Sequence, residues 1–321
     1  LTVRATDTKM TYIGRFDCNV EEPGTIAIDA VNLLTTAVNA PDLCDISTLP
    51  NLRVQVKSGR SFVNKIPSYA PNEWPAAPPI TGGQSITIAG SVLGRMIAQV
   101  AISIAPEDNK YGLNGVHVEP SAIGIRFVST DGNRLTYADG PVDGEVPRIR
   151  TLIPQAAINA MANLIGADEV KLTFAPTACL VEVGRQSLQF RLLEADFPDY
   201  RQVLPTSYKR VVTGNRAEWA STFARVTAFS GDAHQVDLTI SADEGRAGAR
   251  KVDAADVVDA MTSTLDGEPM RVAINGTFIG AALDGMTGET VTMRLGDPLS
   301  PIELTCSGDT ALWIVMPVRM D

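Results

Sequence analysis

The chain has 321 residues, enough for two or three domains of ordinary size, and 45% of them are apolar, which excludes a disordered chain. Acidic residues outnumber basic ones 37 to 27, a formal charge of −10, so a role on nucleic acid cannot rest on bulk attraction to phosphate. No run of ~18 apolar residues is present to span a membrane, and the opening LTVRATDTKM lacks the basic and apolar regions of a signal peptide.

That opening reads as a strand entered midway. TIAIDAVNLLTTAVNA (25–40) turns from strand to helix, with Asp29 where a helix cap belongs. VKSGRSF (56–62) carries Gly59–Arg60 and leads into a strand-like run. Pro67, Pro71, Pro75, Pro78 and Pro79 then crowd 66–83, too many for a central strand or helix, and mark a linker. SITIAGSVLGRMIAQVAISIA (85–105) predicts a short strand and a helix whose apolar face is Val92, Met96, Val100 and Ile104. Strand-like runs GVHVEP (115–120), IGIRFVS (123–129) and RLTYA (134–138) follow, the last two joined by a tight turn at Asp131–Gly132. A helix over 154–165 opens on Pro154, and strands VKLTFA (170–175), CLVEVG (179–184) and SLQFRLL (187–193) come after it. FPDYRQVLPTS (197–207) is a second junction. NRAEWASTFARVTAF (215–229) is helical, with Trp219, Phe223 and Val226 on one side. Region 241–269 holds seven acids against three bases and reads as a solvated face with a helix in it. MRVAINGTFIGAALDGM (270–286) is again strand then helix, with Asn275 at the cap, and VMPVRMD (315–321) closes the chain.

These elements repeat. STDGNRLTY (129–137) echoes ATDTKMTY (5–12), Gly184–Arg185 echoes Gly59–Arg60, and ADFPDY (195–200) echoes APNEWP (70–75). The three strand–helix segments superpose Ile28, Ile153 and Ile274 at a spacing of about 121–125 residues, the signature of three similar domains. The cuts fall at 1–82, 83–203 and 204–321. Each complete copy is expected to pack two helices against two antiparallel sheets, an α+β arrangement. The first copy has one helix and is short: the natural chain is reduced there or, as its length leads one to expect, a preceding piece lies outside this sequence.

Chemistry is not signalled. Cys18, Cys44, Cys179 and Cys306 form no CxxC pair and read as reduced, buried thiols of a cytoplasmic protein. The two histidines, His117 in an alternating strand and His234 in a loop, read as structural or solvated. No nucleophile elbow, P-loop, HExxH or dinucleotide fingerprint occurs, and Asp131 stands in a turn sequence with no paired acid. No catalytic residue, metal or cofactor is expected.

Three tandem α+β domains, TDGNRL in the middle copy, FPDYRQVLP at the second junction and VMPVRMD at the end resemble the bacterial sliding clamps, the beta subunit of DNA polymerase III. The resemblance spans essentially the whole chain. It implies a head-to-tail homodimer whose six domains close a ring, sheets outside and helices lining a hole around duplex DNA, held without sequence preference. It implies a DNA polymerase processivity factor, not an enzyme, that tethers the polymerase III alpha subunit and other clamp-motif proteins and is opened by a clamp loader. The docking pocket it implies takes Leu113 from YGLNG, and Thr130, Gly132, Asn133, Arg134 and Leu135 from TDGNRL. Pro198, Gln202 and Val203 come from FPDYRQV, and Ile314, Val315, Met316, Pro317, Val318 and Arg319 from the C-terminus. DNA contacts map onto Lys110, Tyr111, Arg95 and Arg216, and the dimer interface onto Arg225, Ala228 and Phe229 with edge strands. The sequence departs from the family at Asn133 (often His), Gln202 (often Arg), Gly112 (often aromatic) and Asp321, one charge past the usual end. The alternative is a clamp-like paralogue that binds partner peptides without encircling DNA.

Overall fold

A computed structural model describes residues 1–75, 79–106, 112–146, 148–242, 244–251 and 255–320. Its contacts divide the chain into two compact units, one of 1–80 with 185–189, the other of 81–184 with 190 to the C-terminus.

In the first unit the opening residues are strands, as expected: Thr2–Thr6 pairs antiparallel with Met10–Arg15. Asp7 closes the turn by accepting from the amides of Lys9 and Met10. Four further strands line up as Ala27–Ile28, Phe62–Tyr69, Arg53–Ser58 and Cys44–Leu49. The core of that sheet is small: Val54, Val56 and Ile66, backed by Ile26 and Ile28. Helix α1 (Ala30–Asn39) starts where Asp29 accepts from the amide of Asn32, but it buries only Thr36.

The second unit holds the larger core. One antiparallel sheet of nine strands runs Thr151–Pro154, Gly115–Pro120, Gly124–Thr130, Arg134–Pro141, Ala311–Val315, Ile302–Cys306, Thr290–Leu295, Arg210–Asn215, Thr264–Asp266. Its centre is the pairing of Arg134–Pro141 with Ala311–Val315, which sets Leu135 opposite Ile314. Motifs about 180 residues apart in sequence thus become neighbours. A four-stranded sheet (Ala255–Thr262, Glu244–Lys251, Gln235–Ile240, Met270–Asn275) and a run of three strands (Gln84–Ala89, Glu169–Phe174, Ala178–Val183) complete it.

Four helices pack in pairs within this unit. Helix α2 (Gly90–Ala101) lies by α3 (Gln155–Leu164), and α4 (Arg216–Thr227) by α5 (Gly276–Gly285). Helix α4 is capped by Asn215 and buries Trp219, Phe223 and Val226, as the spacing predicts; Asn275 caps α5. The buried face of α2 differs from the expected one. It ends before Ile104, leaves Val92 half-buried, and buries Leu93 and Ile97 with Met96 and Val100.

Two expectations are corrected. Region 241–269 contains no helix among the described residues; it forms the hairpin Glu244–Lys251 with Ala255–Thr262, then Thr264–Asp266. The acids masked a period-2 pattern, in which Val257 and Met261 turn inward while Asp256, Val258 and Ala260 face out. Of the cysteines, Cys179 and Cys306 are buried, but Cys18 and Cys44 are exposed, Cys44 because it opens a strand at the end of its sheet.

Candidate peptide-docking site

The turn Thr130–Arg134 is built by its own side chains. Thr130 Oγ1 donates to the Arg134 carbonyl (2.7 Å) and accepts from the Gly132 amide (3.1 Å). Asp131 accepts from the amides of Asn133 and Arg134 and holds the Arg134 guanidinium at 2.9 Å. Gly132 supplies the positive φ (91°) that closes the hairpin. The C-terminal segment is stitched to this turn, since the Met316 amide donates to the Asn133 carbonyl (2.9 Å). Two residues on, the Val318 amide donates to the Ala273 carbonyl (2.7 Å).

Beneath the turn lies an apolar cluster of Val128, Leu135, Tyr200 and Ile314, with Tyr137, Phe197, Leu204 and Leu312 against it. Three separate motifs therefore meet: TDGNRL, FPDYRQVL and the last strand. Leu135, Ile314 and Val315 are buried, Met316 and Pro317 half-buried, and Pro198, Gln202, Val203, Val318 and Arg319 exposed. The result is an apolar floor under an adaptable thioether with a polar rim, suited to aliphatic or aromatic anchors of an extended peptide. Leu113 is buried, its carbonyl accepting from Ala105, and lies outside that cluster.

Sequence reasoning missed several side chains. Phe278 on α5 lies under the Arg134 guanidinium at 4.4 Å and flanks the turn. Tyr200 and Phe197 are anchors rather than spacers. His117, expected to be structural or solvated, is structural: its ring stacks on Phe197 at 5.1 Å and faces Glu119 at 3.7 Å. Burial pushes the His117 pKa down and the Tyr137 pKa up. Burial, aided by the bond to Glu119, pushes Tyr200 up to about 12. Each lies in a motif or strand already marked, but only tertiary pairing reveals its partner.

Of the residues mapped to DNA, Arg95 is half-buried on α2, while Arg216 donates to the carbonyls of Gly288 (2.8 Å) and Leu283 (3.2 Å) and so secures the end of α5. Lys110 and Tyr111 lie outside the described residues, as does Asp321. Arg225 pairs with Asp259 on the strand Ala255–Thr262 (2.6 Å), and Ala228 and Phe229 are exposed beside the end of α4. Among the described residues no group of three or more metal-ligating side chains is present. Among the described residues no helix is long and apolar enough to cross a membrane.

Repeated helix pairs on antiparallel sheets, with three sequence motifs meeting at one apolar cluster, define an α+β scaffold with a candidate docking surface. Residues 87–199 match the DNA polymerase III beta subunit central domain, and 201–319 its C-terminal domain. The beta sliding clamp of Pseudomonas putida is 26% identical over 329 aligned positions, covering all of this chain and 89% of that protein. A crystal structure of the Pseudomonas aeruginosa DNA polymerase sliding clamp with ligand superposes with a TM-score of 0.88 at 25% identity, covering 99% of this chain and 89% of that one. The Thermotoga maritima DNA polymerase III beta subunit shares the fold, with a TM-score of 0.91 at 23% identity over 100% and 88% of the two chains. The chain belongs to the DNA polymerase III beta subunit family, the sliding clamps. It is a non-catalytic processivity factor that tethers polymerases through peptides docked on its surface.

Proposed function

We propose that partner peptides, including that of the polymerase III alpha subunit, dock in the cleft over Leu135 and Ile314, rimmed by Met316, Pro317, Pro198, Val203 and Arg134. What supports this reading is the convergence of TDGNRL, FPDYRQVL and the C-terminal strand on one apolar cluster. The chain acts as one protomer of a cytoplasmic head-to-tail dimer that encircles duplex DNA, each protomer contributing domains 1–82, 83–203 and 204–321. Support for the dimer comes from two strands at sheet ends, Cys44–Leu49 and Ala255–Thr262. The latter carries Val258, 69% exposed, and packs against α4, past whose end Phe229 is 46% exposed. Pairing Cys44–Leu49 of one copy with Ala255–Thr262 of the next satisfies both strand edges and covers these side chains.

The test is a titration of a labelled peptide carrying the clamp-binding motif of the alpha subunit, read by anisotropy. Saturable binding weakened roughly tenfold or more by both Leu135→Ala and Met316→Ala is the expected result, since each removes an apolar anchor surface. Absence of saturable binding by the unmodified protein would overturn the pocket.

A further inference from the structure

The segment 197–204, which carries Pro198, Gln202 and Val203, is bonded to the sheet beneath it by one buried acid. Glu119, on the strand Gly115–Pro120, is 1% exposed. Its Oε1 accepts from the Tyr200 hydroxyl (2.6 Å) and from Arg201 Nη2 (2.5 Å). The Tyr200 hydroxyl also accepts from Arg126 Nη1 (3.2 Å). That guanidinium is itself gripped by both oxygens of Asp139 at 2.6 Å and lies 3.8 Å over the Tyr137 ring. On the same side Phe197 stacks on His117. Residues 197 and 200 are thus held down and exposed Arg201 is tied to Glu119, while 198, 202 and 203 beside them are exposed.

A buried carboxylate is costly unless donors surround it, and here two of the donors come from the segment itself. Removing them strands the charge, so the segment and the acid hold each other in place. Beyond the packing of Phe197, Tyr200 and Leu204 on the apolar cluster, the segment has little regular structure to fix it. It is a single 3-10 turn, Tyr200–Val203, capped by Asp199, and short turns of this kind are weak by themselves.

We propose that Glu119 is a positioning residue for the docking cleft, latching the 197–204 wall through Tyr200 and Arg201 so that Pro198 and Val203 stand ready before a peptide arrives. The acid touches no peptide. Its contribution is preorganisation, which lowers the ordering cost of binding and shows mainly in the association step. This rests on the pocket reading above.

The test uses the same labelled peptide with Glu119→Leu, Glu119→Gln, Tyr200→Phe and the double Glu119→Leu/Tyr200→Phe. Hydrogen exchange is followed at the amides of Gln202 and Leu204, which bond to the carbonyls of Asp199 and Arg201. Glu119→Leu and Tyr200→Phe are each expected to weaken binding roughly tenfold and to speed exchange at both amides while those of α4 are unchanged. Glu119→Gln keeps an acceptor for the tyrosine and should recover part of the loss. The double variant should bind no worse than Glu119→Leu, because both changes break the same bond. Peptide affinity and local exchange equal to the unmodified protein in all four would overturn the latch while leaving the pocket intact. Failure of the unmodified protein to bind would overturn the pocket and, with it, the positioning role.

Discussion

Gly132 is the residue on which the turn depends. At φ 91° a side chain is strained even though no neighbour lies within 4 Å of where its Cβ would stand. Gly132→Ala is therefore expected to cost about 1 kcal/mol in denaturant unfolding. Glu119 makes a second residue-scale prediction. Burial alone would raise its carboxyl, but the hydrogen bonds from Arg201 and Tyr200, with the nearby charges, prevail and hold its pKa below the ordinary 4.5. A depressed folded value means its stabilisation is complete above 4.5 and is lost as pH falls through the folded value. In a His117→Phe background, where the facing imidazole no longer titrates, the stability gap between the protein and its Glu119→Gln variant should be constant from pH 8 to 6 and shrink below about 4.5. A gap that widens in acid would contradict this sign. The motif residues were legible in the sequence because turns such as TDGN are local chemistry. Glu119, Phe197, Tyr200 and Phe278 were not, because a lone acid or aromatic in a strand, loop or helix says nothing of what tertiary pairing sets against it.

Elements repeat this division between local and distant causes. Helices α1 to α5 were readable as strand-then-helix segments, and Asp29 and Asn275 cap α1 and α5 as expected, whereas α2 and α3 start without a side-chain cap and spacing misplaced the buried face of α2. The region 241–269 is a hairpin rather than a helix because its acids sit within a period-2 alternation, and hairpin strands at a sheet end tolerate charge on their open face. Helix α1 shows what spacing alone does not settle. Its Val31, Leu34 and Val38 share a face, yet they are 72%, 66% and 75% exposed, whereas Ile158 on α3 and Ile279 on α5 are fully buried. A ten-residue helix with so little burial is marginal in water. In this chain its amides should exchange far faster than those of α3 and α5. Leu34→Ser should change stability by less than about 0.5 kcal/mol, while Ile158→Ser should cost about 3 kcal/mol or more. Equal slow exchange in all three helices would contradict that ranking.

At the scale of the whole molecule, charge decides what kind of DNA protein this is. The chain carries −10, and helices α2 to α5 hold only Arg95, Arg216 and Arg225 against Glu218 and Asp284. Two of those arginines are already engaged, Arg216 with backbone carbonyls and Arg225 with Asp259. If such helices face the duplex, few phosphates are neutralised, and each neutralised phosphate contributes a slope of about −0.9 to the logarithmic salt dependence of affinity. A ring of the proposed kind would then hold DNA by closure. Unloaded protein is expected to bind a short linear duplex so weakly that added salt changes little, with a slope shallower than about −2. Once loaded on a nicked circle by the clamp loader, it should survive gel filtration in 0.1 M and about 0.5 M salt almost equally, because escape requires opening an interface rather than breaking phosphate contacts. Cutting the circle should release it at once through the free ends. A loaded complex that dissociates from intact circles with a steep salt slope would mean that DNA is held by contact, and one that never survives filtration would favour the paralogue that docks peptides without encircling DNA.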